Sequence, residues 1–175
     1  MTIIHICGAS GSGKTTIGEM LARRLKKGVA VIDLDDLLFK FVREQEESKE
    51  SRKAIQDQRI SRYQALIDET IHRYFSVNLL IFVGLNSSIG SFNFRGSKFQ
   101  PPDHFYDLRA DHKIYIDLPE EQILRQKFYR SVTKLAERKE RYFDSNQDDL
   151  FYMVDIKRWT LENRKCERLY KKHNY

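Results

Sequence analysis

Gly8-Ala9-Ser10-Gly11-Ser12-Gly13-Lys14-Thr15 is the stretch that decides how this chain folds. The apolar run Ile3-Ile4-His5-Ile6-Cys7 precedes it, and Thr16-Ile17-Gly18-Glu19-Met20-Leu21 follows. Apolar run, glycine-rich turn and amphipathic stretch predict a buried strand, a tight loop and a helix. Glycines let the backbone curl until successive N–H groups point into one concavity, which suits a phosphate chain. A helix starting where the loop ends adds the positive end of its dipole. In the pattern G-x-x-x-x-G-K-[ST], Gly8 to Thr16 form the expected cradle. Lys14 reaches the β- and γ-phosphates, and the Thr15 hydroxyl ligates Mg²⁺. The alternative is an incidental glycine-rich turn, and the strand and helix on either side weigh against it.

The chain has 175 residues, enough for one α/β domain over 1–175 and too few for a second full one. With 41% hydrophobic and 32% charged residues the composition is globular rather than disordered. No apolar run approaches membrane-spanning length, and the first strand is too short and wrongly flanked for a signal peptide. Cys7 and Cys166 are far apart and show no metal-type spacing, which predicts a reduced, cytoplasmic protein with Cys7 in its core. The net charge of +6 gathers in Arg125, Lys127, Arg130, Lys134, Arg138, Lys139 and Arg141, and again between Lys157 and Lys172. Such charge suits a polyanion, nucleotide phosphates or nucleic acid; a solvated helix face is the alternative, favoured for the second stretch.

Ile17, Met20, Leu21 and Leu25 predict one helix face, with Gly28 as its C-cap. A second strand is expected over 29–32, ending at Asp33-Leu34-Asp35-Asp36, and a third over 79–83, ending at Gly84. Between them Ile60, Tyr63, Ile67, Ile71 and Tyr74 keep a helical period. Residues 85–111 lack a period, and a stretch of this length is usually functional or mobile. Its aromatics, Phe92, Phe94, Phe99, Phe105 and Tyr106, pin a loop to the core or stack on an acceptor, and Arg95 is a candidate acceptor contact. A fourth strand over 114–116 leads to Asp117-Leu118-Pro119-Glu120-Glu121, a helix entry. A polar break over 144–149 precedes a final helix from about Leu150, in which Trp159 is a packing residue. His5 and His72 read as structural, and His104 and His112 carry no role. Strands alternating with helices imply a parallel sheet, whose ligands bind at the carboxyl ends of the strands. Gly8, Asp33, Gly84 and Asp117 all follow strands and are expected along one edge.

Phosphoryl transfer needs an acid near Mg²⁺ and a carboxylate that takes the acceptor hydroxyl's proton. Asp33, Asp35 and Asp36 stand where both can be supplied, and Asp35 or Asp36 is also suited to cap the next helix. The glycine-rich stretch resembles that of the P-loop nucleoside triphosphatases. With the acids, the chain looks like the small P-loop kinases: nucleoside and nucleoside-monophosphate, uridine, gluconate and shikimate kinases. Asp33 and Asp35 fall on the D-x-D positions of those families, and Arg109-Ala110-Asp111-His112-Lys113-Ile114-Tyr115-Ile116-Asp117 is similar to a strand of uridine-kinase-like proteins. The basic segment after it is similar in placement to their arginine-bearing lid.

The resemblance implies a three-layer α/β/α P-loop fold with a parallel sheet of four or five strands and a helical lid. It implies an acceptor-binding helical region at about 37–76 and a lid-like segment at about 125–145. ATP and Mg²⁺ are the implied cofactors. The implied catalytic residues are Lys14, Asp33, Asp35 and Arg130; in the lid Arg125 faces the phosphates with Arg130, and Arg138 and Arg141 are the alternatives. Gly8, Ala9, Ser10, Gly11, Ser12, Gly13, Lys14, Thr15 and Thr16 hold the nucleotide, and Thr15 and Asp33 the metal. Val83-Gly84-Leu85-Asn86 departs from the pattern, having neither an acid nor a G-x-P-R phosphate clamp after the third strand. No apolar run follows the last helix to give a fifth strand, and no N-K-x-D motif points to a GTPase switch. The expected function is transfer of the γ-phosphate of ATP to a small acceptor, a nucleoside or nucleotide first among them. A polynucleotide 5′-end kinase and an ATP-binding regulator without transfer are the alternatives.

Overall fold

The computed structural model describes residues 1–47, 52–87, 104–137, 160, 164 and 167–175, with the backbone alone for 45–47, 52–57 and 130–137. Its elements are β1 (Thr2–Gly8), α1 (Lys14–Leu25), β2 (Val29–Asp33), α2 (Leu34–Glu47), α3 (Arg52–Arg73), β3 (Leu79–Val83), β4 (His112–Ile116) and α4 (Glu120–Glu137). The four strands form one sheet in the order β2-β3-β1-β4. β3 pairs in parallel with β1 and with β2, and both ladders are in step: Ile6 and Asp33 each stand opposite Val83. The carboxyl ends of these three strands are therefore level.

The chain divides into two compact units, one of Met1–Cys7 and Thr15–Ile114, the other of Gly8–Lys14 and Tyr115–Tyr175. In the first, β3 is covered on both faces, and Leu80, Ile81, Phe82 and Val83 are fully buried. A parallel strand flanked on both sides reads as a continuous apolar run, which is why 79–83 is legible in the sequence. Alternation sends Leu80 and Phe82 to one face and Ile81 and Val83 to the other. The first face packs with Leu34 and Phe41 of α2 and Tyr63, Ile67 and Ile71 of α3. The second receives α1 at Gly18, where an added Cβ would stand 2.7 Å from Val83 Cγ1 and 3.3 Å from Val31 Cγ1. Helix, sheet and helix make the three expected layers.

The face expected of α1 is corrected. Gly18 is its buried residue, whereas Ile17, Met20 and Leu25 are 39%, 50% and 53% exposed. Contact with the sheet centres on the residue that lets the backbones approach, and the large side chains fall to its flanks. The helix also ends earlier than expected. Lys26 takes φ +60° directly after Leu25, and Gly28 instead accepts the N–H groups of Asn78 and Leu79 through its carbonyl.

In the second unit Ala9 packs with Ile123, Leu118 and Leu124. Tyr170 is buried against Tyr115 and Tyr175, at ring-centroid distances of 5.8 and 4.7 Å. Pro119 precedes α4 and accepts the N–H groups of Gln122 and Ile123, as its place at the helix entry predicts. The final helix expected from Leu150 lies mostly outside the described residues; 167–172 are helical. Trp159 and Cys166 are outside as well. No helix among the described residues is long and apolar enough to cross a membrane.

Gly18→Val should lower the free energy of unfolding by about 1–3 kcal/mol, the usual scale for overpacking. Urea denaturation checks this, and an unchanged midpoint contradicts the close approach of α1.

Candidate functional site

The loop between β1 and α1 belongs to the second unit. Gly8 has φ +149°, and a Cβ there would meet Ile116 O at 2.7 Å and Ser12 Oγ at 2.9 Å. Only glycine passes this point. The Ser12 N–H donates to Ala9 O at 3.1 Å, closing the turn. The Lys14 ammonium folds back and donates to the same carbonyl at 2.9 Å. Ser12 is buried and its Oγ has no hydrogen-bond partner among the described residues. A buried hydroxyl without a partner is costly in apolar surroundings and is often explained by a ligand or water. Ala9 is buried, Ser10 exposed, and Gly13 adopts φ +87°.

α4 reaches this loop through a residue outside the expected site. A Cβ on Gly11 would stand 2.8 Å from Lys127 Cγ and 3.6 Å from Ile123 Cγ2. The Lys127 stem thus lies across the loop. Arg125, an expected lid arginine, pairs instead with Glu121 at 2.7 Å on the exposed side of the helix. Arg130 is on α4 with its side chain outside the described residues; Arg95, Arg138 and Arg141, like Phe92, Phe94 and Phe99, are outside altogether.

Thr15, Thr16 and the acids belong to the first unit. Thr15 Oγ1 donates to Asp33 Oδ2 at 2.9 Å, and the Asp35 N–H donates to Asp33 Oδ1 at 2.9 Å. Asp33, not Asp35 or Asp36, is therefore the N-cap of α2, a correction to the sequence reading. Asp35 and Asp36 occupy the first turn of α2, exposed, where their charge suits the helix dipole. Thr16 is exposed on α1. A hydroxyl beside one carboxylate is a fit donor set for Mg²⁺, which takes one or two protein oxygens and completes its shell with phosphates and water. The described residues hold no group of three or more His, Cys, Asp or Glu able to form a dedicated metal cage.

The carboxyl end of β3 is held by His5, buried on β1, whose Nε2–H donates to Gly84 O at 2.9 Å. This agrees with a structural role; His72 stacks on Phe75 with centroids 5.9 Å apart. Beyond Gly84, Asn86 clasps the returning chain. Its carbonyl accepts the Tyr106 N–H at 2.8 Å, and its Nδ2 donates to Tyr106 O at 2.9 Å. Tyr106 packs edge-on against Tyr63, with centroids 4.7 Å apart, and His104 edge-on against Tyr106 at 4.9 Å. Tyr106 thus pins the loop to the core. Burial pushes the Tyr63 phenol well above its ordinary range, and the charges of Tyr106, Asp35 and Asp33 add to the shift.

Sequence reasoning missed Arg59, which is 6% exposed on α3. The signal was present: Arg59, Tyr63, Ile67 and Ile71 recur at i, i+4, i+8 and i+12, so Arg59 extends the buried stripe by one turn. Burial lowers its pKa, with Tyr106 opposing the shift.

A family model described as an AAA domain matches residues 3–80. The parallel sheet between helices is the three-layer α/β/α arrangement expected from the sequence. Among solved structures, a shikimate kinase from Bacteroides thetaiotaomicron is similar at 17% identity and TM-score 0.45, over 94% of this chain and 80% of that one. A thymidylate kinase from Ehrlichia chaffeensis is similar at 18% identity and TM-score 0.42, over 78% of this chain and 89% of that one. No curated protein matches significantly.

Asp33→Ala should destabilise the first unit by about 1 kcal/mol, the usual cost of losing an N-cap. Asp33→Asn keeps the capping oxygen and should cost less than about 0.5 kcal/mol. Urea titration of both variants checks this, and equal losses contradict the capping role.

Proposed function

We propose that this protein is a Mg²⁺-dependent phosphotransferase that moves the γ-phosphate of ATP to a hydroxyl or phosphate oxygen of a small acceptor, a nucleoside or nucleotide first among them. The observation that carries the reading is the Thr15 Oγ1–Asp33 Oδ2 contact, 2.9 Å long, at the helix that begins with the loop's Lys14. A glycine turn without chemistry has no need of a hydroxyl and a carboxylate in register at its exit.

In this reading the amides of Gly8 to Thr16 hold the triphosphate. Lys14 exchanges its bond to Ala9 O for the β- and γ-phosphate oxygens. Thr15 and Asp33 hold the metal, which when bound neutralises charge on those oxygens. Asp35 orients the acceptor hydroxyl and takes its proton as the oxygen bonds to the γ-phosphorus. The bond to the β–γ bridging oxygen breaks and its electron pair leaves on ADP. Lys127, with Arg130, faces the charge that develops on the transferred group, and the lid-like segment over 125–145 excludes water. The helical region over 37–76 receives the acceptor. The cytoplasm, reducing and rich in ATP and Mg²⁺, is the compartment this chemistry suits.

A polynucleotide 5′-end kinase is the second reading. It is favoured by Phe128 and Tyr129, 54% and 70% exposed on basic α4, because exposed aromatics among cations suit stacked bases. Radiolabelled ATP offered with pooled nucleosides, nucleotides, sugars and oligonucleotides separates the readings. Label in a small-molecule pool supports the first and label in the oligonucleotide pool the second. ATP binding with no labelled product leaves a nucleotide-binding regulator.

Lys14→Ala should abolish transfer and weaken ATP binding. Asp35→Asn should keep ATP binding and lower turnover by roughly 10²–10⁴-fold, the scale of general-base loss. Steady-state kinetics with equilibrium ATP binding checks both, and near-normal turnover in folded Lys14→Ala contradicts the assignment of the loop.

A further inference from the structure

The amino ends of β1, β2 and β3 are as level as their carboxyl ends, since Thr2 and Val29 each stand opposite Leu79. The chain before each strand is stitched into one edge. The Thr2 N–H donates to Asn78 O at 2.9 Å, and Gly28 O accepts the Asn78 N–H at 2.8 Å and the Leu79 N–H at 2.9 Å. α1 and α3 both end at this edge, which is at the other end of the strands from Asp33 and Gly84.

Its charge is one-sided. Residues 22–30 and 73–80 include Arg23, Arg24, Lys26, Lys27 and Arg73 and neither Asp nor Glu. Arg23 and Arg73 are matched by Glu19 and Glu69, one turn earlier on their own helices, at 3.4 and 2.7 Å. The carboxylate of Asp111, beside Ile3, accepts the Ile3 N–H at 2.8 Å. Arg24, Lys26 and Lys27 are exposed and form no ion pair among the described residues. Two large apolar side chains stand in solvent on the same turns, Leu25 at 53% and Phe75 at 69% exposure. Phe75 is three residues from Asn78 and Lys27 is next to Gly28, so chain length keeps the two within about 20 Å of each other.

A helix C-terminus favours cations, which accounts for Arg23, Arg24, His72 and Arg73 in the last turns. It does not account for Lys26 and Lys27, which lie past the helix. Lys26 holds φ +60°, the left-handed position closing a helix at which glycine is usual. Lysine there gives up backbone ease and keeps a cation in solvent.

We infer that this edge docks on an anionic phospholipid surface. Leu25 and Phe75 enter the boundary between headgroups and acyl chains, and Arg24, Lys26 and Lys27 lie among the lipid phosphates. Long cationic side chains suit such a boundary, because their stems lie along apolar groups while the charges reach the headgroups. A nucleic-acid strand fits less well. Leu25 has no ring to stack on a base, and His72 stacks on Phe75 with centroids 5.9 Å apart and planes 21° apart, taking one face of that ring. Asp33, at the opposite end of β2, then faces the aqueous side. The inference is independent of the phosphotransfer reading.

Co-sedimentation of the whole chain tests it, with vesicles of phosphatidylcholine alone and of phosphatidylcholine and phosphatidylserine in a three-to-one mixture. Binding is expected to the mixed vesicles only, and is expected to weaken as salt is raised, because exposed charges are screened. The double variant Lys26→Gly, Lys27→Gln should bind the mixed vesicles about 30-fold more weakly, each cation near such a surface contributing about fivefold. Lys26→Gly alone should lose binding without lowering the urea midpoint, because glycine suits the left-handed backbone. Phe75→Ser should weaken binding and leave its salt dependence unchanged. Equal sedimentation of the parent chain and the double variant, or none with the mixed vesicles at low salt, overturns the inference. A single-stranded oligonucleotide that binds through Lys26 and Lys27 and displaces the vesicles makes the edge a nucleic-acid surface and overturns it too. So does a dimer that the double variant dissociates, which assigns the edge to a second copy of this chain.

Discussion

Both oxygens of Asp33 are spoken for, and much of the first unit follows from it. One oxygen accepts the Thr15 hydroxyl and the other the Asp35 N–H. The first bond ties the start of α1 to the end of β2; the second starts α2 and sets the turn that carries Asp35. Neither bond is strong alone, on the order of 1 kcal/mol net. Their effect is geometric. Thr15 reaches Asp33 because α1 lies close to the sheet, and it lies close because Gly18, one turn further on, has no side chain to hold it away from Val83 and Val31. The parallel register that sets Asp33 level with Val83 and Ile6 puts the carboxylate at the strand ends, where α/β sheets receive ligands.

The parts of this arrangement that were legible in the sequence are those governed by local chain geometry. The loop was legible because curling a backbone around an anion needs glycine at fixed offsets, as Gly8 still shows in its approach to Ile116 O. The strand over 79–83 was legible because burial on both faces leaves an unbroken apolar run. The rest depends on the phase of a helix against its neighbour, which spacing alone leaves open. Ile17, Met20 and Leu25 make a plausible stripe on paper, yet a single glycine outweighs them as the point of contact. Arg125 and Lys127 are two residues apart on α4, which turns one to Glu121 and lays the other over Gly11. Capping fell to Asp33 because the strand runs one residue further than its apolar run. Arg59 was hidden by its charge, since an arginine in a helix rich in Arg and Gln reads as solvated surface until its burial is seen.

The chemistry asks two things of the chain, and different physics meets each. In the proposed reading the phosphate end rests on backbone amides, a helix terminus and one lysine, none of which distinguishes one nucleotide-using protein from another. In the same reading the acceptor end rests on side chains from α2, α3 and the chain around Asn86 and Tyr106, where burial raises the stakes for every polar group.

Amide hydrogen exchange of residues 8–15 tests the central claim most directly, measured on the free protein, with a non-hydrolysable MgATP analogue, and with adenosine at equal concentration. The account predicts strong added protection with the triphosphate and none with adenosine, because the loop binds phosphate through its N–H groups. Unchanged exchange with the analogue, or equal protection from adenosine, would contradict it.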